Sequence, residues 1–245
     1  MNLKKIEANN LPYTALLYCK AGVGKSTAIG LAAERSDGNT LVLDIDRTIT
    51  RTLAKGEIVK DTSKVLVEQI DNIRTFNAWT ETLKEIGADD AKFLRDNNIK
   101  TVAVDNISEL ERCILSDLGA QGKNKGVPAM ADYQYMQFKL VNSLRYMKSW
   151  GVNIIWTAWE DVAAFTHPDG TQYSRIIPKI SNKIVDNICG LCDMVGWIGI
   201  NKDGEHHILL EATQNIYAKN QVDSRKSCLC EEFVITKKNE KKEVK

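Results

Sequence analysis

No run of about 18 apolar residues occurs in this 245-residue chain, so it offers no candidate membrane-spanning helix. The start, MNLKKIEANN, lacks the apolar core of a secretory signal. Net charge is almost absent as well. Thirty-three Lys and Arg stand against 32 Asp and Glu, a formal +1, so no global field draws the chain to a polyanion or a lipid surface. Any such surface has to be a local patch. Histidine is scarce, at three residues, and no Cys–His or Ser–His catalytic set can be assembled. These absences predict a cytoplasmic protein with no membrane partner, its six cysteines mostly reduced.

What is present is ordinary for a globular chain: 43% hydrophobic and 27% charged residues. Buried-strand runs alternate with helical patterns, which predicts a mainly parallel central sheet flanked by helices, an α/β fold. Strands are expected at 13–18, 40–45, 65–70, 101–105, 152–158, 194–200 and 206–210. Helices are expected at 26–35, over most of 74–97, from the end of the 101–105 strand to Leu118, and where Tyr133, Met136, Leu140, Leu144 and Met147 recur at helical spacing. The turn residues His167, Pro168, Asp169 and Gly170 place a hairpin over 165–176. One domain over 1–236 is the economical reading, with the lysine-rich 237–245 as a solvated, disordered tail.

The stretch YCKAGVGKST, residues 18–27, follows the first strand and opens the first helix. It is nearly a P-loop: Gly24, Lys25 and Ser26 fit the pattern, but Cys19 stands where the first glycine belongs. In that context Lys20, Ala21, Gly22, Val23, Gly24, Lys25, Ser26 and Thr27 form a backbone cradle for phosphates, aided by the helix dipole. Lys25 would neutralise the β- and γ-phosphates of ATP, and Ser26 would ligate Mg²⁺. Cysteine at 19 is harmless if its φ is negative and strained if it is positive.

Hydrolysis needs acids at the same sheet edge. Asp105 ends the apolar strand TVAVD and is the candidate for the Mg²⁺ shell beside Ser26. The next residue is Asn106, so no adjacent glutamate serves as base. Asp44 and Asp46 close the second strand in LVLDIDRT, and Asp46, furthest along, is the choice for orienting water. Glu109 and Glu160 are weaker candidates. Thr157, near the end of NIIWTAWE, has a hydroxyl within reach of the same edge, while Trp159 reads as a packing residue.

The order of these segments resembles the RecA-core ATPases encoded by bacteriophages, the group proposed to act in single-strand annealing and recombination. The likeness rests on the phosphate loop, DID after a strand, VAVDNISEL and WTAWED. PDGTQYSRIIPK, NKIVDNICGLCDMVGW and YAKNQVDSRKSCLC extend it from about Tyr13 to Cys230. The resemblance implies a RecA-like P-loop NTPase fold, ATP and Mg²⁺ as cofactors, and single-stranded DNA as partner. It also implies a homo-oligomer, ring or filament, and a host single-strand-binding protein as a further candidate partner. Asp46 matches the water-activating acid, although the family more often has Glu there. Lys219, with Arg225 second, matches the residue that reaches the γ-phosphate across the subunit interface. DNA contacts would lie in 119–131, with Lys123 and Lys125, and in the 160–178 hairpin, with Arg175 and Lys179. Tyr133, Phe165 and Tyr173 are candidates for base stacking.

Two other readings stay open. Lys20 and the glycines also resemble the variant phosphate loop of ParA-type partition ATPases, but Arg47 and Thr48 replace the Pro-Gln expected after the acids. A non-hydrolysing nucleotide-binding scaffold is the third. Cys189, Cys192, Cys228 and Cys230 are enough thiols for zinc, yet the first pair lies within an apolar helical pattern and reads as core. His206 and His207 share a strand, so their rings face opposite ways.

Overall fold

The computed structural model describes residues 11–166 and 169–233. The expected turn residues His167 and Pro168, and the segment 237–245, lie outside the described residues.

The chain opens with β1 (Thr14–Cys19), whose six residues are all buried. α1 (Lys25–Arg35), β2 (Asn39–Asp44), α2 (Ile49–Ala54), β3 (Val65–Gln69), α3 (Thr75–Asp96) and β4 (Ile99–Asp105) follow. Then come α4 (Ile107–Gln121), α5 (Met130–Lys148), β5 (Asn153–Thr166) and β6 (Gln172–Pro178). The described chain ends with α6 (Val185–Leu191), β7 (Met194–Ile200), β8 (His206–Leu209), β9 (Lys219–Asn220) and β10 (Ser227–Leu229). The main path of the sheet runs β10-β8-β7-β1-β5-β4-β2-β3, with β6 on β5 and β9 on β7. The strands from β7 to β3 along this path are parallel, and β6, β8, β9 and β10 are antiparallel to their neighbours. The mainly parallel α/β architecture read from the sequence is the one observed.

A parallel sheet covered on both faces needs strands that are apolar throughout, and the alternation of side chains divides them between two cores. Leu16, Tyr18, Leu43, Val104 and Trp156 face the layer of α3, α4 and α5. Ala15, Leu17, Cys19, Val42, Ala103 and Ile155 face α1 and α2.

Two departures from the sequence expectation change the architecture. The strand expected to stop at Ala158 continues to Thr166, and its outer half pairs only with β6, from Glu160 opposite Pro178 to Thr166 opposite Gln172. The hairpin is therefore an outgrowth of a core strand, because β6 supplies the backbone partners the main sheet no longer does. α3 is broken at 88–91, where Asp89, Asp90 and Ala91 have left-handed φ. The Arg95 guanidinium donates to the carbonyls of Asp89 and Asp90, and both halves keep apolar residues, Ile86 and Leu94, in the core.

Between α3 and α5, the fully buried Trp79 donates its indole N–H to Ser143 Oγ at 2.9 Å. Ser143→Ala leaves that donor unpaired, so urea unfolding of the variant should show a loss of about 1–3 kcal/mol. ATP affinity should be unchanged, since both residues lie away from the loop. A loss below about 0.5 kcal/mol would mean that water or another acceptor replaces the serine.

Candidate active site

The loop between β1 and α1 sits at the carboxyl ends of the parallel strands. Cys19 is the last residue of β1, fully buried, and is not among the residues with left-handed φ. Its Cβ therefore costs nothing in backbone strain, and burial pushes the thiol up to about 11. Gly22 and Gly24 do need glycine: their φ values are +80° and +119°. α1 begins at Lys25 with Gly24 as its cap, and the first-turn N–H groups have no partners within the helix. Lys25 is buried, its ammonium on the Lys20 carbonyl at 3.4 Å. The loop from Lys20 runs directly into the first turn of α1, which carries Lys25 and the hydroxyls of Ser26 and Thr27.

Asp105 closes β4 in register with Asp44 of β2. Its carboxylate accepts from Ser26 Oγ at Oδ2 and from Thr157 Oγ1 at Oδ1, both at 2.6 Å. Burial raises its pKa, and the two hydroxyl hydrogen bonds oppose that rise. A hydroxyl and a carboxylate are hard oxygen donors. They suit Mg²⁺, which takes one or two protein groups and completes its shell with water and phosphate oxygens. Ser26 and Asp105, the two groups expected around the metal, are therefore brought together. Thr157 is fully buried and is engaged by Asp105 rather than directed at the loop.

Asp46 lies just beyond β2, half-buried. Thr48 Oγ1 donates to its Oδ1 at 2.9 Å, and Asn106 Nδ2 donates to its Oδ2 at 2.8 Å. The other end of the Asn106 amide, Oδ1, accepts from the Glu109 N–H at 2.9 Å and caps α4. The sequence reading gives Asn106 no role at the site. Its signal is nonetheless there, an asparagine between a strand and a helix, the preferred capping position. Asp44 contrasts with Asp46: it is fully buried and neither carboxylate oxygen completes a hydrogen bond. Burial, then the nearby charges of Asp46 and Asp105, push its pKa up to about 6; the Arg47 and Thr48 amides approach and offset only part of this.

Several expected groups are engaged elsewhere. Glu160 accepts from the Trp197 indole at 2.9 Å and pairs with Lys20 at 3.9 Å, so it braces the loop. Trp159 packs under the Arg112 guanidinium, 5.0 Å from its ring centroid. Lys219, expected to act across a subunit interface, lies away from the loop of its own chain. Its strand, β9, pairs with the start of β7, and its ammonium donates to the Gly190 and Cys192 carbonyls at 3.1 and 2.7 Å, where α6 ends. Arg225 is held by Asp223 at 2.7 Å. Arg175 lies over the Tyr217 ring and donates to the Thr213 and Ile216 carbonyls, tying β6 to the 213–217 segment. Cys189 and Cys192 lie in one core and Cys228 and Cys230 in the other, across the sheet, so the four thiols do not converge. Among the described residues no cluster of three or more His, Cys, Asp or Glu is arranged for a metal. His206 reads from the sequence as a plain strand residue, yet its Nδ1 lies 2.8 Å from the Val23 carbonyl of the loop.

A search of curated proteins gave no match. Two solved structures are similar in outline. One is a prototypical ATPase from the type III secretion system of pathogenic bacteria: 16% identity, TM-score 0.43, 79% of this chain and 53% of that one. The other is the type III secretion ATPase EscN from enteropathogenic E. coli: 15% identity, TM-score 0.45, 76% of this chain and 43% of that one. The match thus spans about half the length of each. The model of an AAA domain family, AAA_24, matches residues 11–222. That span takes in β1 through β9 with every group of the phosphate cradle and its acids, and the chain belongs to this family of P-loop ATPases.

Proposed function

We propose that the protein binds ATP with Mg²⁺ and hydrolyses it, with Asp46 orienting the attacking water, and that it works on single-stranded DNA during phage recombination or replication. The observation that carries the ATPase reading is the state of the three acids. Asp105 is locked to the Ser26 hydroxyl. Asp46 is aimed by two hydrogen bonds yet remains partly open. Asp44 is sealed under both. In this reading the Lys20–Thr27 backbone and Lys25 hold the phosphates, and Ser26 and Asp105 hold the cation, which when bound neutralises charge on the transferring phosphate. Asp46 accepts a hydrogen bond from the water and fixes its line of approach. A carboxylate one methylene shorter than glutamate makes turnover slow. A ring or filament then supplies a further cation to the phosphate site from a neighbouring subunit.

Support for a DNA partner lies at 119–138. Lys123 and Lys125 are exposed, and beside them Met130, Tyr133, Tyr135 and Phe138 are 43–80% exposed at the start of α5. Cations next to exposed rings suit a flexible polyanion with free bases. On the hairpin, Phe165 stacks on Tyr173 with centroids 5.6 Å apart.

Steady-state ATP hydrolysis at low salt, with and without single-stranded DNA, tests both parts. Lys25→Ala should abolish nucleotide binding. Asp46→Asn should keep binding and lose roughly 100-fold or more in turnover. Normal turnover in Asp46→Asn removes it as the water-orienting group. Rates indifferent to single strands but raised by duplex DNA would favour the partition-type reading.

Asp44 gives a separate expectation. Its folded-state pKa is raised, so its contribution to stability is present below the unfolded value and lost as pH rises through about 6. Asp44→Asn should therefore gain stability relative to the parent at pH 7.5, and the gain should shrink towards pH 4.5. A pH-independent difference in urea unfolding would show that Asp44 does not titrate there.

A further inference from the structure

β8 is antiparallel to β7, with His206 opposite Ile200 at the carboxyl end of the parallel strands. β7 lies directly beside β1, so this end of β8 reaches the phosphate loop. The two histidines project to opposite faces, and each is tied to a different part of the loop. His207 meets Trp197 edge-on at 6.2 Å, Trp197 donates to Glu160, and Glu160 pairs with Lys20 at the loop's start. His206 holds the loop's end. A carbonyl only accepts, so at 2.8 Å His206 Nδ1–H donates to Val23 O. A Cβ built on Gly24 would fall 3.0 Å from that same nitrogen and 3.4 Å from Cε1. The imidazole edge occupies the place a side chain at 24 would take.

We infer that His206 is a positioning residue for phosphate binding, acting through the Val23–Gly24 peptide. The peptide unit is planar and trans, so its C=O and N–H point in opposite directions. Fixing the Val23 carbonyl on β8 therefore turns the Gly24 N–H to the side of the loop away from β8, where it serves as a preset donor to a phosphate oxygen. The imidazole also closes off alternative positions of Gly24, whose φ of +119° belongs to a residue with wide freedom. Without that restraint the peptide flips among several orientations, and nucleotide binding has to select one of them.

The inference rests on the loop being an ATP site, and the test separates the two. ATP dissociation constants by calorimetry, and thermal unfolding of the nucleotide-free protein, are measured for the parent, His206→Leu, His206→Asn and Lys25→Ala. Leucine fills similar space without a donor. Asparagine places its amide N–H near the position of Nδ1. His206→Leu should bind ATP roughly tenfold more weakly, with a nucleotide-free unfolding temperature close to the parent's. His206→Asn should recover to within about threefold. Parent-like affinity in His206→Leu overturns the inference, as does an asparagine variant as weak as the leucine one. If Lys25→Ala binds like the parent, the loop is not the ATP site, and the inference falls with that reading.

Discussion

The Asp105 carboxylate is the joint on which this site is built. It emerges from β4, yet its two oxygens are taken by hydroxyls from α1 and from β5. β5 lies between β1 and β4, so the buried acid locks the phosphate loop to a strand two places away through the one between. A buried carboxylate without such partners would be costly. With two charge-assisted hydrogen bonds the same burial becomes a source of rigidity, and it leaves the acid oxygen-rich and poised beside Ser26.

Around that joint the neighbouring acids are sorted by solvation. Asp44 and Asp46 are two residues apart, but the first is sealed in the sheet and the second lies just past its edge, partly open to water. Asn106 holds Asp46 in that place. The oxygen of its amide caps α4, and the nitrogen aims Asp46. The start of α4 and the orientation of the Asp46 carboxylate are therefore both held by a single side chain. His206 and Glu160 do the equivalent for the loop itself, from strands on either side of β1.

Several polar groups singled out in the sequence are engaged within the fold around the two cores. Cys189 and Cys192 belong to α6 and its cap on one face of the sheet, and Cys228 and Cys230 to β10 and the turn after it on the other. Lys219 follows its strand to the start of β7, where the unpaired carbonyls at the end of α6 attract its ammonium. Arg175 of β6 lies over the Tyr217 ring and is engaged by the 213–217 segment.

The strand–loop–helix around Gly22, Gly24 and Lys25, and the acids that end β2 and β4, are legible in the amino-acid order. Those signals are local: apolar runs that need cover on both faces, and glycines where the backbone turns left-handed. They also sufficed for the α/β class and most strand limits. Which groups meet is a matter of the packed fold. Ser26 and Asp105 are 79 residues apart, and Val23 and His206 are 183 apart. Nothing in the periodicity of either segment encodes a neighbour at that distance. The order of strands in the sheet does. It sets β5 between the loop strand and the strand that ends in Asp105, continues β5 into a ribbon, and brings β8 against the loop.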